Sequence, residues 1–229
     1  DDLDNVYEFS EDIGAFYELY WTPANPGKKG KFTRKPTPKA LDAMVRGMPG
    51  KEWQDIAARI AELDAELVAD TERELFNQKQ RLTEADRDLS YRETKGALES
   101  KRIATKKIAW AQRKLADIKR TELQPKDSRI FPGWYAPVLV AENGERVVKP
   151  MRYQCRPAGK PALYDRKYPG TYNARRDNLE GFWKGQFGHT HGLMIVSAFY
   201  ENVSRHKVEG RELEPGEAEE NVVLEFRPQ

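Results

Sequence analysis

The longest regular pattern in the chain is the spacing of its aliphatic residues between positions 51 and 123. This segment has no proline and one glycine, Gly96. Its aliphatic side chains recur mainly at intervals of three, four or seven residues, at Ile56, Ile60, Leu63, Leu67, Leu75, Leu82 and Leu89, and later at Leu98, Ile108, Leu115 and Ile118. Such spacing is typical of a coiled coil. A single helix of about 70 residues would be on the order of 100 Å long, so we expect an antiparallel hairpin that turns between Asp88 and Ala97, near Gly96.

The two halves of this segment carry opposite charge. Residues 51–91 contain 6 basic and 11 acidic side chains, whereas residues 92–120 contain 10 basic and 3 acidic ones. Arms of opposite net charge attract each other when they fold together, which supports the hairpin. Two roles stay open for it. It is either a solvated spacer or an arm that binds a protein partner or DNA, with its candidate contacts at Lys101, Arg102, Lys106 and Lys107.

The first 50 residues predict two short amphipathic helices. The first helix has apolar residues near helical spacing, at Ile13, Phe16, Tyr17, Tyr20 and Trp21. The second helix carries Leu41, Met44 and Val45. A loop rich in proline, glycine and lysine connects them over residues 22–38.

From residue 124 onward the pattern changes to short runs that are typical of β-strands. Asn143 and Gly144 lie between two apolar runs and predict a β-hairpin. We further expect a loop over 153–172, an aromatic helix over 178–187, a buried central strand over 192–202, an acidic loop over 209–220 and a returning strand over 221–226. The predicted fold is α+β, with a mixed or antiparallel β core and flanking helices. Residues 1–50 and 124–229 form this body, and residues 51–123 are a long inserted antiparallel helical hairpin.

Composition narrows the class of protein. Charged residues make up 33% of the 229 positions and apolar residues 38%, which predicts a large solvated helical part. Cys155 is the single cysteine, so the chain has no internal disulfide and suits a reducing compartment. No apolar run approaches the roughly 18–20 residues that cross a membrane. We expect a cytoplasmic monomer, associated with the nucleoid when it binds DNA. Because the chain opens at Asp1 without methionine, we also expect it to be an excerpt of a longer polypeptide.

A basic segment with interleaved tyrosines follows the predicted β-hairpin. Residues 146–176 contain nine basic side chains and one acid, Asp165. Basic side chains neutralise phosphates, and aromatic rings stack on unpaired bases. The DNA-binding candidates are Arg152, Tyr153, Arg156, Tyr172, Arg175 and Arg176, together with Trp183 in the aromatic helix. The alternative is an ordinary basic loop whose tyrosines pack on the body.

Three polar residues form a pattern that is typical of a catalytic site. Asn173 and Arg175 are two positions apart, so they point to the same side of an extended segment. Glu201 ends an apolar run, which predicts a carboxylate at the mouth of a buried strand. Glu201 is a candidate general acid or base, and a structural ion pair with Arg175 is an equal alternative.

Histidine and cysteine are the other residue types in this part of the chain that could react. His189 and His191 lack a third ligand nearby, so we expect a structural loop and no metal site. Cys155 is flanked by Arg152 and Arg156, which could lower the pKa of its thiol. A packed or incidental cysteine without a chemical role is the simpler interpretation, and no cofactor is expected.

At these residues the chain resembles the SOS-response-associated peptidase (SRAP) family. The matching features are the Asn173-Ala174-Arg175 triplet, the aromatic pair Phe182-Trp183 and the strand that ends Phe199-Tyr200-Glu201, with looser matches at residues 131–138 and 149–153. The resemblance covers roughly residues 128–227 and, more faintly, the first 45. The helical segment resembles an insertion that a subset of such proteins contains.

The resemblance implies a function in the response to DNA damage. SRAP proteins use the amine and thiol of an N-terminal cysteine to attack the aldehyde of an abasic sugar in single-stranded DNA, and a stable thiazolidine cross-link results. By this resemblance Asn173 would orient the cysteine and the sugar, Arg175 would bind a phosphate, and Glu201 would move protons during imine formation and ring closure.

The chain departs from the family pattern at both ends. It begins with Asp1, and the family's later histidine is absent. We therefore expect these 229 residues to bind single-stranded DNA that carries an abasic site without forming the cross-link. Two alternatives remain: a cysteine-type peptidase that removes its own leader, and a non-catalytic repair scaffold that docks onto a protein partner through residues 51–123.

Overall fold

The computed structural model describes residues 9–24, 32–157, 159–161, 163–189 and 191–228. It is a mixed α+β structure, as predicted, in which about 48% of the described residues are helical and about 15% lie in strands. The helices are α1 (Ile13–Trp21), α2 (Lys39–Gly47), α3 (Lys51–Tyr91), α4 (Lys95–Lys119), α5 (Leu163–Lys167) and α6 (Arg205–Val208). The strands are β1 (Ser10–Glu11), β2 (Tyr135–Glu142), β3 (Glu145–Arg152), β4 (Gly192–Leu193), β5 (Phe199–Ser204) and β6 (Asn221–Phe226).

The main hydrophobic core joins α1, α2 and the beginning of α3. Its buried side chains are Phe16, Leu19, Tyr20, Leu41, Val45, Trp53, Ile56, Ile60 and Leu63. The rings of Phe16 and Trp53 meet edge to face at 5.0 Å between their centroids, a favourable aromatic geometry. Both predicted N-terminal helices are confirmed, and part of the loop predicted between them, residues 25–31, lies outside the described residues. The domain boundary predicted after residue 50 falls between helices that share this core.

Helices α3 and α4 form the predicted antiparallel hairpin. They are connected by residues 92–94, inside the predicted interval. Thr94 caps α4, because its hydroxyl accepts a hydrogen bond of 3.2 Å from the Ala97 amide. Gly96 lies in the first turn of α4 rather than in the connection, so the glycine did not mark the turn.

The contact between the two helices is formed by small and polar residues more than by leucines. The buried positions repeat every seven residues, at Thr71, Gln78 and Ala85 on α3 and at Ala97, Ala104 and Ala111 on α4. Leu75, Leu82 and Leu89 lie beside them and are only half-buried. Ile56, Ile60 and Leu63 do not belong to this contact, since they pack in the main core. Alanine on one helix lets the backbones approach closely, which moves the leucines to the sides.

Polar contacts hold the end of α4 against the body. The Lys39 ammonium group donates hydrogen bonds of 2.5 Å and 2.6 Å to the Asp117 and Arg120 carbonyls, which are among the last carbonyl groups of α4 and otherwise lack helical partners. The Arg120 guanidinium group donates two hydrogen bonds, of 2.8 Å and 2.9 Å, to the buried Asp127 carboxylate. The base of the hairpin is therefore fixed to α2 and to the segment that leads into β2.

Four strands form the larger sheet, in the order β1-β3-β2-β4. Strands β2 and β3 are the predicted hairpin, and their turn residues Asn143 and Gly144 have φ angles of 54° and 85°. Both positive angles fit the tight turn that Asn-Gly sequences favour. Strand β1 runs parallel to β3, with Ser10 beside Val147.

The strand and helix predictions for residues 178–202 are wrong, and the loop predicted over 153–172 contains the short helix α5. The central strand expected over 192–202 is divided into β4, which pairs with the edge of β2, and β5, which pairs only with β6 in a separate two-stranded ribbon. Its apolar residues are open to solvent, with Ile195 84% exposed. The aromatic helix expected over 178–187 is a series of turns. The returning strand at 221–226 is confirmed as β6.

Candidate nucleic-acid interface

Backbone hydrogen bonds position the residues that follow β3. The Tyr153 amide donates to the Trp134 carbonyl at 2.7 Å, and the Tyr153 carbonyl accepts from the Gly133 amide at 2.9 Å. Two residues later, the Cys155 amide donates to the Thr171 carbonyl at 3.0 Å. These bonds extend β3 toward the segment at 171–173, although that segment lies about twenty residues further along the chain.

This pairing brings two predicted DNA-binding tyrosines together. The rings of Tyr153 and Tyr172 lie 6.0 Å apart between centroids, at an angle of 69°. Tyr153 is half-buried, whereas Tyr172 is 40% exposed. The Tyr153 ring packs against the Tyr172 ring from the protein side. The outer side of Tyr172 is accessible, so this ring can stack on an unpaired base.

Glu201 is near enough to Tyr153 for its charge to act on the phenol. Burial raises the pKa of the Tyr153 phenol, and the nearby Tyr172, Glu201 and Cys155 raise it further. Tyr153 is therefore protonated at neutral pH and can donate a hydrogen bond, while a carboxylate can accept one. Glu201 is exposed in β5 opposite Leu224, so the expectation that it sits at the mouth of a buried strand is wrong.

Arg152 and Arg156 share one buried acid. The Asp165 carboxylate, 6% exposed, accepts hydrogen bonds from Arg156 at 2.7 Å and 3.0 Å and a further one from Arg152. The Arg156 hydrogen bond, with Arg152 adding to it, lowers the pKa of the Asp165 carboxyl. The two arginines and the acid together carry one net positive charge. They are more weakly cationic than the two free phosphate ligands expected from the sequence.

Asn173 and Arg175 are exposed but do not converge on Glu201. The Asn173 backbone N–H donates a hydrogen bond to the Gly170 carbonyl. The Arg175 guanidinium group pairs with its neighbour Asp177 at 3.3 Å, and its side chain is 76% exposed. Neither residue has a hydrogen bond or an ion pair with Glu201 in the described part of the chain. Arg176, also exposed, begins a short 3-10 turn over Arg176–Asn178.

Trp183 has a structural position rather than an accessible one. It is only 6% exposed, and its backbone amide donates to the Asn178 carbonyl. Its buried ring leaves little surface for stacking on a base. The adjacent Phe182 is 51% exposed and meets Trp183 edge to face at 4.8 Å, so Phe182 is the accessible ring of this segment.

One nearby pair was not predicted. The Arg129 guanidinium carbon lies 5.7 Å from the centre of the Tyr200 ring, which is 46% exposed. This cation–π contact places a positive charge beside β5, next to Glu201 in sequence. The sequence offered a weak signal, since Tyr200 directly precedes the candidate glutamate.

The remaining reactive groups give little chemistry. Desolvation raises the pKa of the Cys155 thiol, and both flanking arginines pair with Asp165, which favours the interpretation without a chemical role over activation by the arginines. His191 accepts a hydrogen bond from the Gly188 amide at 3.2 Å, consistent with a structural loop, although Thr190 lies outside the described residues. Across the described ranges, no group of three or more His, Cys, Asp or Glu side chains is arranged to hold a metal ion.

Comparisons with known proteins add no relative. No protein-family model matches the chain, and no curated protein or solved structure is significantly similar to it. Among the described helices, none has the length and apolar character needed to cross a membrane.

Proposed function

We propose that this protein binds single-stranded DNA and recognises abasic sites in it. The observation that carries the proposal is the ring contact between half-buried Tyr153 and exposed Tyr172, with the Glu201 charge acting on Tyr153. The resemblance to the SRAP family falls on the same part of the chain.

The chemistry of the cluster suits such a lesion. An abasic site lacks one base, so neighbouring bases lose a stacking partner, and an exposed ring such as Tyr172 can take that place. The Tyr153 hydroxyl and the Glu201 carboxylate provide a donor and an acceptor for the sugar hydroxyls. Arg175, Arg176 and Arg129 are the cations that we assign to neighbouring phosphates.

Covalent capture, as in the SRAP family, is part of the proposal only for a protein that carries an N-terminal cysteine. There the α-amine would form an imine with the sugar aldehyde and release water, and the thiol would add to the imine carbon to close the ring. We assign proton transfer in these steps to Glu201. Cys155 cannot take the place of the N-terminal cysteine, because an internal cysteine has no free α-amine. The raised pKa of the Cys155 thiol also argues against it as the nucleophile of the peptidase alternative.

Fluorescence anisotropy tests the proposal. A labelled single-stranded oligonucleotide with one tetrahydrofuran residue, a stable abasic analogue, is compared with the same oligonucleotide without the lesion. We expect tighter binding to the lesion and a loss of about 10-fold in this preference for Tyr172→Ala, because stacking is worth about 1–3 kcal/mol per base. Tyr91→Ala is the matched control, since Tyr91 is 86% exposed at the tip of the hairpin. Equal affinity of the unmodified protein for both oligonucleotides would contradict the proposal.

A further inference from the structure

The cations of α4 divide into two groups according to the face of the helix they occupy. One group points toward α3 and is neutralised there. Lys101 pairs with Asp86 at 2.8 Å, Lys107 with Glu74 at 3.0 Å and Lys119 with Glu72 at 2.9 Å. Two of the four residues that the sequence suggested as contacts, Lys101 and Lys107, are therefore used within the hairpin.

The second group lies on the outer face of α4. Lys95, Lys106 and Arg113 are exposed on this face, whereas Lys114 is half-buried at its edge, on the side that carries Lys107. None of the four has a carboxylate within 4.0 Å among the described residues. Arg102 belongs to the same face, and its one ion pair within the described ranges is with Glu99 of its own helix, at 2.5 Å. We call Lys95, Arg102, Lys106, Arg113 and Lys114 the α4 basic stripe.

The α4 basic stripe is long enough to contact several successive phosphates of a nucleic-acid strand. Eighteen residues separate Lys95 from Arg113, which corresponds to about 27 Å at 1.5 Å per residue. Residues 95–114 contain seven basic side chains and one acid, Glu99. A polyanion with regularly repeated charge matches such a surface better than a single acidic group does.

An exposed aromatic ring adjoins this face, because Trp110 lies four residues after Lys106 and three before Arg113 on the helix. Trp110 is 47% exposed, and the Lys114 ammonium group lies 4.8 Å from the ring centre. Trp110 is not among the buried residues of the hairpin contact, so packing between α3 and α4 does not account for its position. Cations with an interleaved aromatic ring are the combination that single-stranded nucleic acids bind, through phosphate neutralisation and base stacking.

We propose that the outer face of α4 is a second binding surface for single-stranded DNA. The α4 basic stripe contacts the phosphates, and Trp110 stacks on an unpaired base. An acidic protein partner would also match the charge of this face. Charge pairing alone leaves the exposed Trp110 ring without a role, whereas an unpaired base can stack on it. This inference rests on the proposed binding of single-stranded DNA, but its residues are separate from the tyrosine pair that we assign to the lesion.

The salt dependence of binding to an intact single-stranded oligonucleotide tests this surface. For the double variant Lys106→Gln and Arg113→Gln, the slope of log affinity against log salt should become shallower by about 1.4, because each lost phosphate contact contributes about 0.7. Affinity at low salt should fall about 10-fold. The matched control is Lys79→Gln with Arg87→Gln, which removes two exposed cations of α3 that have no ion pair among the described residues.

The outcomes separate this inference from the proposed function. A shallower slope for the α4 variant alone supports the second surface, even if the unmodified protein shows no preference for the lesion. Equal slopes for the α4 variant and the α3 control overturn it, even if the lesion preference is intact, and would leave an acidic protein as the occupant of this face. Absence of any binding to single-stranded DNA at low salt overturns both. Trp110→Ala gives an independent readout, because it should weaken binding about 5-fold without changing the slope.

Discussion

The helices at the N-terminal end and the strands at the C-terminal end contain similar apolar side chains and bury them very differently. Phe16, Ile56 and Ile60 are 0% exposed, whereas Phe199 is 49% and Val223 63% exposed. The helices α1, α2 and α3 present apolar stripes to one another, so each has a partner. The ribbon of β5 and β6 has no second layer over it in the described structure. An apolar run therefore becomes core only where another element covers it.

The proposed DNA site lies mostly in the less packed region. Tyr172, Tyr200 and Glu201 are all exposed, and a few backbone hydrogen bonds and ring contacts hold them. Regions with little buried apolar surface open more easily than packed cores. We infer that the helical core supplies most of the stability and that the C-terminal region supplies most of the binding surface.

The largest effect should come from a cavity in the helical core. Ile60→Ala removes a fully buried side chain and should lower the free energy of unfolding by about 2–5 kcal/mol. Val223→Ala removes an exposed side chain from β6 and should change it by less than about 1 kcal/mol. Urea denaturation of both variants measures the difference. Similar losses would mean that the ribbon is packed as well as the core is.

A smaller effect should come from the base of the hairpin. Hydrogen bonds from Arg120 lower the pKa of the Asp127 carboxyl from its ordinary value of 3.8 to about 2. This pairing stabilises the fold above pH 3.8 by about 2 kcal/mol, and the stabilisation is lost as the pH falls toward 2.

Asp127→Asn should therefore be less stable than the unmodified protein near pH 7, and the difference should shrink between pH 4 and pH 2, roughly the interval between the two pKa values. Urea denaturation at several pH values checks this, with Glu122→Gln, an exposed neighbour, as control. If the difference in free energy of unfolding between the two proteins did not change with pH, the ion pair would not be its cause.

The smallest of these effects concerns the edge of the larger sheet. A Cβ atom on Gly192 would lie 2.6 Å from Val138 Cγ1, which is too close for two carbon atoms. Gly192→Ala should cost about 1–2 kcal/mol, because the Val138 side chain can partly rotate away. Gly185→Ala has no atom within 4 Å of the added carbon and is the control. Equal thermal stability of the two variants would mean that β4 does not pack on β2 as described.

Local signals predicted the parts of the fold that depend on local chemistry. The Asn143-Gly144 turn and the helical hairpin follow from turn chemistry and from spacing, which tertiary contacts do not change. The true start of α4 also had a local signal, since Thr94 is a good capping residue. The turn was predicted near Gly96 because glycine often interrupts helices. A single glycine inside a helix, however, lowers its stability by only about 1 kcal/mol relative to alanine.

The wrong predictions are those that needed knowledge of packing. The segment 178–187 contains Gly181 and Gly185, with Gly188 following, and these glycines together favour turns over a helix. The run at 192–202 had the composition of a buried strand, but composition does not say whether a layer covers it. In the candidate site, Asp165 was visible as one acid among nine cations. Which two of the nine basic residues pair with Asp165 depends on the tertiary structure, and only the structure shows that they are Arg152 and Arg156.

The seven-residue repeat of Ala97, Ala104 and Ala111 against Thr71, Gln78 and Ala85 has a consequence for how this protein can change over evolutionary time. Deletion of seven residues from each helix would restore the same contacts one repeat closer to the body. The tip would then lie about 10 Å nearer the body, since seven residues rise about 10 Å. The core and the base contacts of Lys39 would be unaffected. The reach of the arm is therefore adjustable in fixed steps, independently of the part of the molecule that keeps it folded.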